Sequence, residues 1–320
     1  MSDLKLSVIV PTRDRPNRLR ETLSGLTQQQ DLDSRDYEVI VVDDGLVPAS
    51  VNETANGPVA HLIRLGGAGR SAARNHGAGT AQGELLVFVD DDMKVSRTFL
   101  SSHLKAHRES PGALQVGSIR LPDTAVGTPF GRFRQSLENE GIPDHPGPLD
   151  PRRCTAQNMA IARRAFEEMG GFDPQLSAAE DQDLALRFAE GGGTVVYVPG
   201  AEAVHDDDGA LDIRSYTRRA ERYMEEFVGF GARHPDLIDT LERAAVNGPV
   251  RWGGEPIGLS AKKLLKSVLV WPPLHPAALG LVLVLERTAP DSQLLDRLYR
   301  LVLGAHLQRG YRRGLRSAGV

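Results

Sequence analysis

Three consecutive aspartates, Asp90, Asp91 and Asp92, follow the apolar run Leu85 to Val89. At the end of a buried strand their charges repel one another, and a divalent cation offsets that repulsion most simply. Carboxylate oxygens favour hard ions such as Mg²⁺ or Mn²⁺, and Mg²⁺ commonly completes its shell with substrate phosphates. Turn chemistry offers a second explanation, in which the aspartates cap the helix that follows. Another acidic pair, Glu180 and Asp181, opens a helical segment. Carboxylates in a first helical turn interact favourably with the helix dipole. One of them could also accept a proton from an attacking hydroxyl if packing raised its pKa toward neutrality. Asp43 and Asp44 end a further apolar run, and Pro11-Thr12-Arg13-Asp14 ends a third.

Elements that would position these groups can be read from the pattern. Leu6 to Val10, Tyr37 to Val42, Ala60 to Leu65 and Leu85 to Val89 are apolar throughout rather than alternating. Strands covered by helices on both faces require that pattern. Leu19, Leu23 and Leu26 recur at helical spacing, with Asp14 placed to cap the start and Pro16 tolerated in the first turn. A second helix of small residues is predicted over Ser71 to Ala81. The first ~110 residues thus read as an open, mostly parallel α/β sheet, which binds ligands beyond the carboxyl ends of its strands. The aspartates stand at those ends. The Pro- and Gly-rich stretch Leu121 to Pro151 reads as a loop, its part from Gly141 onward as a mobile lid. A helix is predicted over Asp181 to Glu190 and a strand over Thr194 to Val198, closed by Pro199 and Gly200, with His205 in the loop beyond. From Asp212 the pattern is helical, with Tyr216, Tyr223, Phe227 and Phe230 on one face and a break around Trp271 to Pro276.

At about 150 residues per domain, the 320 residues allow two domains or one large α/β domain with an extension. A net charge of −4 with 25% charged and 40% hydrophobic residues is ordinary for a globular chain. The single Cys154 forms no internal disulfide and argues for a reducing compartment. The N-terminus lacks the pattern of a signal peptide, and Ala277 to Leu285 falls short of the roughly 20 residues that cross a bilayer. A cytoplasmic location is expected. The phosphate loop of Walker-type NTPases is missing. Gly66-Gly67-Ala68-Gly69 lacks the spacing of a dinucleotide fingerprint, so a dehydrogenase is disfavoured. Between Ser260 and Val320, ten Lys or Arg stand against three Asp or Glu. A positive, Leu-rich tail suits either an anionic surface or a solvated helix face. Its helices would lie on a membrane, pack on the rest of the chain or form a homodimer.

Six motifs in order, Ser7-Val8-Ile9-Val10-Pro11-Thr12, Val41-Val42-Asp43-Asp44-Gly45, Ala73-Arg74-Asn75, Phe88-Val89-Asp90-Asp91-Asp92, Gly170-Gly171-Phe172-Asp173 and Glu180-Asp181-Gln182-Asp183-Leu184, resemble glycosyltransferase family 2 over about Lys5 to His205. The resemblance implies the α/β GT-A fold, an open, mostly parallel Rossmann-like sheet flanked by helices, here with a helical C-terminal extension. Residues 1–210 would be the catalytic domain, 1–110 the nucleotide-sugar half and 111–210 the acceptor half, with 211–320 the extension. It implies a nucleotide-diphospho-sugar donor, UDP-linked by preference, and Mg²⁺ or Mn²⁺. The acceptor would bear a hydroxyl, on a lipid-linked or small molecule; nucleic acid is not an expected partner. Pro11, Thr12, Arg13, Asp43, Arg70 and Arg74 would hold the nucleoside. Asp90 would face the ribose, with Asp91 beside it, and Asp92 and His205 would hold the metal. Asp181 would be the general base of an inverting transfer, and Asn158, Glu180 and the Gly170 to Asp173 turn would shape the acceptor side. Two rivals remain. A sugar-nucleotide pyrophosphorylase would normally show a Gly-rich N-terminal loop with a trailing Lys, which Pro11 to Arg15 lacks. A protein that binds nucleotide sugars without transferring them would share the fold.

Overall fold

The computed structural model describes residues 4–49, 58–234, 246–271 and 273–319. The chain forms two compact units, one of residues 1–122 and 138–206, the other of 123–137 and 207–320. The division differs from a single boundary at residue 210. An internal segment, 123–137, belongs with the C-terminal helices.

In the first unit, β1 (Leu6–Thr12), β2 (Tyr37–Asp43), β3 (Val59–Arg64), β4 (Leu85–Val89), β5 (Met93–Val95), β6 (Leu114–Arg120), β7 (Gly147–Pro148), β8 (Asn158–Ala162) and β9 (Val195–His205) make one sheet. Its order is β3-β2-β1-β4-β8-β6-β9-β5, with β7 beside β9. β3, β2, β1 and β4 are parallel, β8 runs against β4 and β6, and β9 lies parallel to β6. Successive side chains of a strand point to opposite faces, and the core divides accordingly. Val8, Val10, Val39, Val41, Val87 and Val89 pack with Leu19 and Leu26 of α1 (Pro16–Thr27) and Phe99 and Leu104 of α3 (Phe99–Glu109). Ile9, Ile40, Val42, Leu86 and Phe88 pack on the other face with Ala73 of α2 (Arg70–Thr80), Phe166 of α6 (Arg163–Glu168) and Leu184 of α7 (Glu180–Glu190). Two covered faces are why these strands are apolar throughout.

Several expectations need correction. Asp14 does not cap α1: Arg15 is the capping residue and makes no side-chain cap bond, while Asp14, at φ 56°, accepts the amides of Leu46 and Val47 at 2.9 Å each. The β1 turn is thereby tied to the loop after β2. Pro199 and Gly200 do not end a strand. β6 pairs Gly117 with Val198 and then Ser118 with Glu202, so β9 carries both residues in a bulge and runs on to His205, a position where a strand tolerates proline. His205 is therefore a strand residue paired with Met93, not a loop residue. The stretch expected as loop holds α4 (Asp123–Val126) and α5 (Pro129–Glu138). Pro129 sits in the first turn of α5, where its missing amide hydrogen costs nothing.

The second unit is helical: α5, α8 (Ile213–Arg233), α9 (Ile257–Leu269), α10 (Leu274–Thr288) and α11 (Gln293–Ser317). Phe130, Phe133, Ile213, Val282, Leu295, Tyr299 and Val302 form its core. α11 lies so close on α8 that a Cβ at Gly310 would stand 2.1 Å from the Glu221 carbonyl oxygen.

Candidate active site

Each of the three strand-end aspartates has a different partner. Asp90 accepts from Arg74 Nη2 at 2.8 Å. Asp91 accepts from Thr12 Oγ1 at 2.6 Å, and Asp92 accepts from Arg15 Nη1 at 2.9 Å. Thr22 Oγ1 donates to the Asp91 carbonyl at 2.8 Å, fixing the turn between β4 and β5 from α1. Burial pushes the Asp91 carboxyl up to about 6 against the pull of Thr12 and Arg15. Burial also opposes ionisation of Asp90, yet the Arg74 guanidinium holds that carboxyl below the usual range.

Arg74 connects two segments far apart in sequence. It is 2% exposed, and its Nη1 donates to Glu180 Oε1 at 2.8 Å while Nη2 holds Asp90. A planar guanidinium offers each of two carboxylates a separate nitrogen in a fixed fork. The next residue, Asn75, explains the Gly170 to Asp173 motif. Its amide donates to the Phe172 carbonyl at 2.7 Å and accepts the Phe172 amide at 2.9 Å. Gly171, at φ 74°, passes so close that a Cβ would meet Asn75 Oδ1 at 2.6 Å. This turn and Arg187, which donates to the carbonyls of Met169 and Gly171, anchor the segment that leads into α7. At the start of α7, Asp181 accepts the amides of Ala156 at 3.1 Å and Gln182 at 2.9 Å. Burial, then the neighbouring Glu180 charge, push its carboxyl up to about 6, against the opposing pull of Arg74 and the two amides. A carboxyl held there is poised to take a proton near neutral pH.

Asp92 Oδ1 is buried and has no hydrogen-bond partner. It lies 3.6 Å from His205 Nε2, itself on a residue only 4% exposed. The antiparallel pairing of β5 with β9 sets this distance, since Met93 faces His205. An orphaned carboxylate oxygen beside an imidazole nitrogen fits a hard divalent cation. Among the described residues no group of three or more His, Cys, Asp or Glu converges, so a cation here would need ligands from the substrate and water.

Other expected residues lie elsewhere or do other work. Asn158 does not line an acceptor pocket. It is fully buried, its Oδ1 accepting from His103 Nε2 at 2.9 Å and its Nδ2 donating to the carbonyls of Ser118 and Ala201. Its amide is occupied in tying β8 to β6 and β9. Glu180, expected on the acceptor side, is buried and engaged with Arg74. Asp43 is also fully buried, and its oxygens accept the amides of Gly45 and Ala49. Pro11 is half-buried and Arg13 exposed at the β1 end. Arg70 donates to the Ser177 carbonyl at 2.9 Å. Two residues were given no role of their own in the sequence reading. Arg15 reaches the aspartates across the sheet edge. Asp44 accepts the amides of Gly67, Ala68 and Gly69, which gives that glycine run a structural reason.

Comparison with known proteins bears on the family and the fold. The family model "Glycosyl transferase family 2" matches residues 7–170, and "Glycosyl transferase family group 2" matches 153–279. A pre-mycofactocin glycosyltransferase of Mycobacterium tuberculosis is 28% identical over 243 residues, 74% of this chain and 49% of that protein. A validoxylamine A glucosyltransferase of Streptomyces hygroscopicus subsp. limoneus is 25% identical over 281 residues, 76% of this chain and 59% of that protein. The chain thus spans about half the length of the first of these relatives. Among solved structures, the mannosyltransferase PcManGT from Pyrobaculum calidifontis, in complex with GDP-Man and Mn²⁺, superposes with a TM-score of 0.60 at 19% identity, covering 97% of this chain and 88% of that one. TarS of S. aureus superposes at 0.52 with 15% identity, covering 93% and 55%. The sheet is that of the GT-A fold. With the family model extending across half of its residues, the chain belongs to glycosyltransferase family 2.

Proposed function

We propose that the protein transfers a sugar from a nucleotide-diphospho-sugar to a hydroxyl acceptor with inversion at the anomeric carbon, Asp181 serving as general base. The observation that carries this reading is the Arg74 bridge. One buried guanidinium holds Asp90, at the donor-side strand end, and Glu180, the neighbour of Asp181. Donor and base groups therefore belong to one network. In the reaction, Asp181 takes the acceptor proton as the hydroxyl oxygen bonds to the anomeric carbon, and the bond from that carbon to the diphosphate oxygen breaks on the opposite face. Asp92 and His205 would hold Mg²⁺ or Mn²⁺. When bound, such a cation supplies charge stabilisation for the departing diphosphate without proton transfer.

Uridine is the nucleoside expected from the resemblance, whereas the similar mannosyltransferase structure carries GDP-Man and Mn²⁺. The acceptor is a lipid-linked or small hydroxyl compound. The test is a panel of UDP- and GDP-sugars, assayed for released nucleoside diphosphate with Mn²⁺ and with chelator. Metal-dependent release from at least one donor supports the reading. Tight donor binding with no release, even in the presence of trial acceptors, would favour a binding protein instead.

A further inference from the structure

α9 reverses the usual order of burial. Lys263 and Lys266 are 2% and 4% exposed, whereas Ile257, Leu264, Leu265 and Val268 are 88%, 43%, 52% and 48% exposed. The lysines have internal partners. Lys263 pairs with Glu255 and donates to the Pro249 carbonyl, and Lys266 donates to Asn247 Oδ1 at 3.0 Å. The apolar face continues through Trp271 and Leu274 to Leu281, Leu283 and Val284 of α10. Outside residues 252–294, only Leu46, Val47, Leu62 and Leu211 are comparably exposed large apolar residues among those described. An apolar surface concentrated on one helix pair marks an interaction site.

Beside it lies a cavity of ≈ 320 Å³ between α9 and α11, lined by Ser267 and Val270 on one side and by Arg309, Arg312, Arg313 and Arg316 on the other. Glu221 accounts for part of this charge, pairing with Arg309 and Arg313. Gln308, 1% exposed, also lines the cavity, and its Nε2 has no acceptor. Nor has Nε of Arg309 or of Arg312. Buried donors without acceptors on a guanidinium-lined wall call for an anion, and Arg is suited to phosphate oxygens. Ser267 and Val270 of the cavity alternate in sequence with Val268 and Trp271 of the apolar face. The last turn of α9 therefore serves both.

We infer that α9 and α10 lie on an anionic phospholipid surface, their apolar face in the acyl boundary and the arginine-lined cavity taking a headgroup phosphate. Among the described residues no single helix is long and apolar enough to cross a membrane, and α9 and α10 meet at 92°. With the lysine face of α9 already occupied inside the unit, only one face remains for lipid, which suits a helix lying in the interface. The positive surplus of the C-terminal segment has the complementary sign.

The full chain is floated with phosphatidylcholine vesicles, with and without phosphatidylglycerol, at low salt. Recovery with the anionic vesicles is expected. Leu265→Asp, an exposed change that leaves the core intact, should weaken it by about tenfold. Arg312→Gln with Arg316→Gln should remove the preference for phosphatidylglycerol. Light scattering on both proteins and inorganic phosphate titration complete the test. Three results would overturn the inference: the chain stays unbound with anionic vesicles; phosphate binds the cavity while vesicles do not; or the face joins two copies in a dimer that Leu265→Asp disperses, without vesicle binding. Flotation does not depend on sugar transfer, so it succeeds or fails independently of the proposed chemistry.

Discussion

Asp181 and Asp92 carry different burdens, and their surroundings differ accordingly. Asp181 accepts only two amides, and burial together with Glu180 brings its carboxyl to about 6. A base must be ionised to act, so above that value Asp181 is ready and below it turnover declines. The pH profile of kcat should therefore be flat near neutrality and fall about tenfold per pH unit in the acid limb below about 6. Such a profile, measured at saturating donor and acceptor, checks the assignment; an acid limb centred two units lower would exclude it. Asp92 presents a buried, partnerless oxygen toward His205. Asp92→Ala should leave the melting temperature near that of the parent and abolish the Mn²⁺ dependence of donor binding, read by calorimetry. At this scale the carboxylates proposed to carry the chemistry stood out in the sequence because Asp90 to Asp92 and Glu180-Asp181 are contiguous. Arg15 did not, since nothing in the spacing between residues 15 and 91 says that the two turns meet. Asn158 was misassigned for the converse reason: a polar residue beginning a strand looks available until its three partners are located.

Elements that stop at strong punctuation were read to within a residue or two. β4 ends at Val89, where the aspartates begin, and α7 ends before Gly191. β9 was cut short because proline usually ends pairing, whereas the bulge opposite Gly117 and Ser118 absorbs it. α5 was missed because Pro129 and the surrounding glycines resemble a loop, although a proline in the first turn is compatible with a helix. In the second unit, α8 and α11 are joined through Glu221, which is 4% exposed and pairs with His306, Arg309 and Arg313. Burial opposes its ionisation, but Arg309 and His306 hold its carboxyl below the usual range. Glu221→Gln removes the charge that compensates the arginines, so it should destabilise the fold by roughly 3 kcal/mol. Urea unfolding monitored by circular dichroism would reveal it, and a loss under about 0.5 kcal/mol, typical of a surface change, would show that the cluster is dispensable.

For the whole molecule, charge was the least transparent feature of the sequence. The surplus of Lys and Arg after residue 260 reads as a uniform positive tail, yet Lys263 pairs with Glu255, Arg309 and Arg313 share Glu221, and Arg313 also pairs with Glu225. Four of the arginines, Arg309, Arg312, Arg313 and Arg316, line one cavity. The fold class, by contrast, was legible from continuous apolar strands alternating with helices, because a sheet covered on both faces admits few other patterns. The central claim concerns the other unit, where the carboxylates at the sheet edge and Asp181 are expected to carry out sugar transfer. Its most direct test is the turnover of Asp181→Asn beside the parent, with the donor that the panel selects and with Mn²⁺ present, alongside the affinity of each for that donor. The amide keeps the shape and loses the proton acceptor, so kcat should drop by about 10²-fold or more while donor affinity stays within a few-fold. Near-parental turnover by that variant would contradict the account.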